Sequence, residues 1–226
     1  MRLAIATSIL ALIAAPTAGA EREPERAVAR HVRSIVPADG GGGVAVALCI
    51  GGRALFFNYG WADRATKRPI TSDALFNLAS LRKVFEATLL AQAVRNGELR
   101  LDEPVAKYVT ELQKGGDIRR VTLGQLASHT SGLPRVPQQY EGWHRGNYTW
   151  PDFVRFLNSW KAGPNHEPGK QYLYSNAAMV LLRVALERRF NTRFAALMRE
   201  RITAPLGMNS TALPLPRGLL GRAVQD

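Results

Sequence analysis

The β-strand signal in this chain sits in one short stretch, and that restricts its fold more than any other feature. Residues 44–50 and 54–59 are apolar or aromatic runs split by Gly51-Gly52, the pattern of a β-hairpin. A short helix is expected at 27–35, broken by Pro37 and the glycine run 40–43. After residue 59 the chain reads as turns and helices. A two-stranded hairpin does not bury its own face and needs further strands or a covering helix. Nothing after Ile202 supplies strands, and the last residues resemble a loop. The expectation is therefore an α+β fold whose C-terminal part is missing.

The helical remainder is punctuated clearly. From Ser80 to Asn96 the apolar positions Val84, Ala87, Ala91 and Val94 recur at helical spacing. Leu81, Phe85 and Leu89 widen that stripe, so this helix is expected to be buried on most sides, with Gly97 as its stop. Thr122 is a cap for a helix to about residue 129, and Thr149 with Pro151 starts another, to about 160. Two more helices are expected at 176–189 and 193–202. Residues 60–72 read as a polar, turn-rich connection. Cys49 reads as a buried strand residue. As the single cysteine of 226 residues it excludes an intrachain disulfide and a cysteine-built metal cage.

The first twenty residues form a targeting pattern. Met1-Arg2 is a short positive start, residues 3–15 are almost wholly apolar, and Ala18-Gly19-Ala20 precedes the charged Glu21-Arg22-Glu23. This predicts a signal peptide at 1–20 cleaved after Ala20, and a periplasmic or secreted product. The apolar run falls short of the roughly 20 residues of a membrane-spanning helix, and no later segment is apolar enough. The net charge of +12 raises the question of nucleic acid. The basic residues are scattered, however, and residues 183–201 alternate arginine with acidic and apolar positions. That is the solvated face of packed helices, so no nucleic-acid partner is expected.

The chemistry-bearing signal is Ser80-Leu81-Arg82-Lys83. Residues three apart on a helix share a face, so a hydroxyl and an amine meet there. A serine hydroxyl is a poor nucleophile until a neighbouring base takes its proton. A lysine serves as that base only where burial or a nearby cation depresses its pKa. At the unperturbed value of about 10.4, roughly one lysine in 2,500 is neutral at pH 7, a gap worth about 4.6 kcal/mol. Chance alone supplies about 0.24 such pairs in a chain with these serine and lysine counts. A surface lysine beside a capping serine is the plain alternative.

The second signal is Tyr174-Ser175-Asn176, with the same chance expectation of about 0.24. It follows the Pro168-Gly169 turn and stands at the mouth of a helix. A phenol beside a lysine cation becomes a proton shuttle, and an asparagine offers both donors and an acceptor to an amide. The plain alternative is a core tyrosine and a helix-capping asparagine. His129, His144 and His166 have no metal-ligand spacing, and His129 reads as structural. No metal or cofactor is expected. Trp143, Tyr148 and Trp150 read as packing residues before cleft-lining ones.

From about Val44 onward the chain resembles class C serine β-lactamases and their penicillin-binding relatives. The resemblance rests on Phe56-Phe57-Asn58-Tyr59-Gly60, residues 75–83, Gly97-Glu98-Leu99 with Pro104-Val105, His129-Thr130-Ser131-Gly132-Leu133-Pro134, Tyr174-Ser175-Asn176 and Pro205-Leu206-Gly207-Met208. It implies a serine β-lactamase/DD-peptidase-like α+β fold. An antiparallel sheet flanked by helices (21–78) is joined to a mainly helical lobe (79–226). It also implies that Ser80 is acylated, that Lys83 and Tyr174 serve as base and acid, and that Asn176 binds the substrate's side-chain amide. The Ser80 backbone N–H would be one oxyanion donor.

Two departures stand out. The family's Lys-Thr/Ser-Gly motif, carried on a late strand, is absent, and Lys114-Gly115-Gly116 lies too early to replace it. Losing one oxyanion donor typically costs about 2.7–4 kcal/mol of transition-state stabilisation. Taken as complete, the polypeptide is expected to be a truncated homologue of poor stability and low turnover. After Leu133-Pro134, Arg135-Val136-Pro137 replaces the family's Leu-Gln-Val-Pro, leaving Arg135 without a role. The substrate implied is a β-lactam, and the protein is expected to be a monomer. Rival readings are a D-Ala-D-Ala carboxypeptidase, endopeptidase or esterase of the same fold, acting on peptidoglycan peptides, or a catalytically dead penicillin- or peptidoglycan-binding homologue.

Overall fold

The computed structural model describes residues 18–36, 42–137 and 148–224. Residues 1–17 of the signal peptide expected at 1–20, Trp143 and His144 lie outside them. The chain divides into two compact units, residues 1–77 with 218–226, and residues 78–217.

The first unit is built on the hairpin. Strand β1 (Gly43–Ile50) pairs antiparallel with β2 (Arg53–Asp63), with Val44 opposite Tyr59 and Leu48 opposite Leu55. Gly51 and Gly52 both have positive φ, as a two-residue turn requires. Strand β2 outruns the expected hairpin and pairs with a third strand, β3 (Arg68–Pro69). The turn-rich reading of 60–72 missed β3, because two residues are too few for an alternating pattern to show. Helix α1 (Ala18–Val32) begins well before the expected start at residue 27 and ends earlier than residue 35. Apolar spacing marks only the packed part of such a helix; its buried anchor is Val32. Residue 223 joins this unit, pairing with Leu75 as a parallel bridge and accepting a hydrogen bond from Arg68 at 2.6 Å.

Alternation along β1 turns Ala45, Ala47 and Cys49 to an exposed face and Val44, Val46 and Leu48 to a half-buried one. Cys49 is therefore exposed, which corrects its reading as a buried residue. Phe56 and Ile50 are also exposed, so the sheet is only partly covered within its own unit.

The second unit holds the large core. Helices α2 (Arg82–Arg95), α3 (Leu123–Ala127), α4 (Trp150–Ser159), α5 (Asn176–Phe190) and α6 (Phe194–Met198) pack around Leu89, Leu126, Leu157, Leu182 and Phe194. Each such side chain contributes roughly 1.5–3 kcal/mol by leaving water. Helices α3 and α4 begin with reciprocal capping boxes, Thr122 with Gln125 and Thr149 with Asp152. Helix α5 is buried on most of its circumference, from Ala177 to Leu186. Its cap is Ser175, whose Oγ accepts from the Ala178 N–H at 2.9 Å, and not Asn176, the first helical residue. Tyr148 and Trp150 pack against the core, and the Trp150 indole N–H donates to Glu111. The basic stretch after residue 183 is tied down by carboxylates, Arg188 to Glu111 and Arg201 to Glu98.

Helix α2 buries a different face from the one its apolar spacing suggests. Val84 and Leu81 are both 60% exposed, whereas Glu86, Leu89, Leu90 and Ala93 are buried. Neighbouring α5 sets the choice. A helix apolar on nearly all sides leaves its packed face to be decided by its partner.

Candidate active site

The site is assembled from three segments of the second unit: the entry to α2, the turn after α3 and the entry to α5. Ser80 lies in a 3-10 turn, Ala79–Leu81, that runs directly into α2. Ala79 precedes it with φ +44, a left-handed conformation that costs an alanine of the order of 1 kcal/mol. The strain is local to the nucleophile candidate and fixes the angle at which Ser80 leaves the turn. Ser80 is exposed and Lys83 half-buried.

Lys83 Nζ donates to Ser80 Oγ at 3.0 Å. Tyr174 Oη, ninety-four positions downstream, donates to the same oxygen at 2.9 Å. The Lys83 ammonium also lies 5.0 Å from the centre of the Tyr174 ring. One hydroxyl thus receives an amine and a phenol at ordinary hydrogen-bond lengths. Hydrogen bonding with Lys83, followed by that with Ser80, holds the Tyr174 phenol below its usual range. Loss of its proton reverses the bond to Ser80, making the phenolate the acceptor.

Tyr174 is held by the turn at 129–135. His129, itself at φ +58, packs its ring 4.6 Å from that of Tyr174. Its carbonyl accepts from the Leu173 N–H at 2.7 Å, and its Nδ1 accepts from the Ser175 N–H at 3.2 Å. An imidazole that accepts at Nδ1 must be unprotonated there. Burial, assisted by the Lys83 charge, lowers the His129 pKa accordingly. The sequence reading of His129 as structural left out this contact with Tyr174; its place in the Thr-Ser-Gly turn was the only signal. Asn176 follows at the first turn of α5 with its side chain half-buried. Among the described residues nothing hydrogen-bonds that side-chain amide, and its backbone N–H donates to Arg135 O at 3.0 Å.

One turn beyond Lys83, Glu86 is fully buried. Its Oε1 accepts from Arg82 at 2.6 Å, while Oε2 has no hydrogen-bond partner among the described residues. Burial, opposed by Arg82, Arg183 and Lys83, raises its pKa from 4.5 to about 7. The folded state therefore favours the protonated acid. That stabilisation is complete below pH 4.5, the unfolded value, and is lost as pH rises through about 7. The interval corresponds to about 3 kcal/mol. Glu86→Gln should remove this component, so the mutant loses less stability than wild type between pH 4.5 and 8. Urea denaturation across that range measures it, and parallel profiles for the two proteins would refute the assignment.

A β-lactamase family model matches residues 28–221. A β-lactamase of Escherichia coli K12 is 34% identical over 176 residues, spanning 77% of this chain and 44% of its own. A class C β-lactamase crystal structure superposes with a TM-score of 0.80 at 26% identity, over 90% of this chain and 55% of its own. A structure described as a β-lactamase/D-alanine carboxypeptidase from Pseudomonas syringae gives 0.77 at 28% identity, over 89% of this chain and 54% of its own. The fold is that of the α+β serine hydrolases. The chain belongs to the β-lactamase family, and it spans less than half the length of the curated relatives it matches.

Proposed function

We propose that this chain carries the acylating half-site of an exported serine hydrolase, with β-lactams as its substrates. The observation that carries this reading is the convergence of Lys83 Nζ and Tyr174 Oη on Ser80 Oγ, at 3.0 and 2.9 Å. In this reading Lys83 and Tyr174 together remove the Ser80 proton as Oγ attacks the lactam carbonyl. The carbon–nitrogen bond of the ring breaks, the ring nitrogen takes that proton, and the acyl group remains esterified to Ser80. Water then hydrolyses the ester with the same pair acting in reverse. The Ser80 backbone N–H serves as an oxyanion donor, and Asn176 holds the amide of the acyl side chain. Export is proposed from the leader-like segment at 1–20. Among the described residues no helix is long and apolar enough to cross a membrane.

A reaction with a fluorescent penicillin, acid-quenched within the first turnover, should carry its label on the peptide containing Ser80. A label elsewhere, or neither label nor β-lactam hydrolysis, overturns the reading. A second reading, a D-alanine carboxypeptidase acting on peptidoglycan peptides, is favoured by the description of the Pseudomonas syringae relative. The two part at the fate of the ester. Repeated turnover of a chromogenic cephalosporin supports the lactamase, and a stoichiometric burst with slow release supports the peptidase.

A further inference from the structure

Arg135 is the feature near Ser80 to which the mechanism gives no part. Its position is set by backbone. Ser175 Oγ donates to Pro134 O at 2.7 Å and the Asn176 N–H donates to Arg135 O at 3.0 Å, fastening this turn to the start of α5. The exposed guanidinium lies with Cζ 5.7 Å from the centre of the Tyr174 ring, whose hydroxyl is on Ser80. Among the described residues no carboxylate pairs with Arg135. A guanidinium presents a planar fork of donors that matches a carboxylate, so one lying beside the Tyr174 ring, with no carboxylate partner among the described residues, is a receptor for an anion.

We propose that Arg135 is a specificity-determining residue that favours acyl donors bearing a carboxylate on the acyl side chain, next to the amide assigned to Asn176. The inference rests on the reading of Ser80 as the acylated residue and adds the chemistry of the group beside it. Because the guanidinium is exposed, the preference is modest and weakens with salt.

The test uses two penicillins with the same phenyl-bearing side chain, benzylpenicillin and its α-carboxy derivative. They share the ring carboxylate and differ only in the side-chain one. Acylation of Ser80 is followed by intact mass for wild type, Arg135→Gln and Arg135→Lys. The ratio of the carboxylated to the neutral rate should fall about 3- to 10-fold in Arg135→Gln and less in Arg135→Lys. It should also fall for wild type as salt rises. An identical ratio in wild type and Arg135→Gln overturns the role of Arg135 while leaving the hydrolase reading intact. Absence of both a Ser80 adduct and any hydrolysis of either compound overturns the hydrolase reading, and this inference with it.

Discussion

Ser80→Ala abolishes covalent labelling by penicillin, and any acylation rate falls by at least about 10³-fold. The size of the loss follows from the chemistry, since no other oxygen takes the place between the Lys83 amine and the Tyr174 phenol. Lys83→Ala and Tyr174→Phe each remove one arm of the proton relay, with an expected loss of about 10²- to 10⁴-fold. Because both arms meet at one oxygen, the double variant should be scarcely worse than the poorer single one. The pH profile separates the arms. Tyr174 ionises below its ordinary range chiefly through Lys83, so Lys83→Ala should move the alkaline rise in acylation to higher pH. Intact-mass kinetics between pH 6 and 11 read both effects. Persistence of the adduct in Ser80→Ala would end the case for this site.

Gly132→Ala unfolds the turn that supports Tyr174. Gly132 has φ +74, and a Cβ there would stand 1.8 Å from His166 O and 3.0 Å from His166 C. Both obstacles are backbone, so the turn and the residue 166 segment must separate. The expected loss is about 3–5 kcal/mol, at the severe end for one substitution. Acylation should fall with it, because the same turn carries His129 and Arg135. Gly97→Ala is the control. Its φ of +71 is nearly the same, but nothing lies within 4 Å of the added carbon. That change should cost only about 1 kcal/mol. Chemical denaturation of the two variants side by side decides the matter; equal losses would show that conformation alone, without the clash, accounts for Gly132.

The features legible in the sequence are the local ones. Gly51-Gly52 marks the hairpin, Thr122 and Thr149 mark helix starts, and a serine and lysine one helical turn apart mark the entry to α2. Tyr174 was legible by residue type, and folding brings it to Ser80 across ninety-four positions. Features decided by a distant partner did not show. Glu86 falls in line with Leu89, Leu90 and Ala93 only once α5 is known to cover that side of α2. His129 gains its meaning from a ring that packs on it from forty-five positions away. Strand β3 exists because β2 offers it an edge, and Cys49 is exposed because that face of the sheet lacks cover.

The conformation of Ala79 restricts what can stand beside the serine in any descendant of this sequence. A left-handed φ admits glycine freely, tolerates asparagine and small side chains, and shuts out valine, isoleucine and threonine. Glycine would relax the corner but also let the hydroxyl swing, whereas alanine holds its heading at a small energetic penalty. Evolutionary drift at this position is thereby funnelled through a handful of side chains, however freely the exposed surface around it changes.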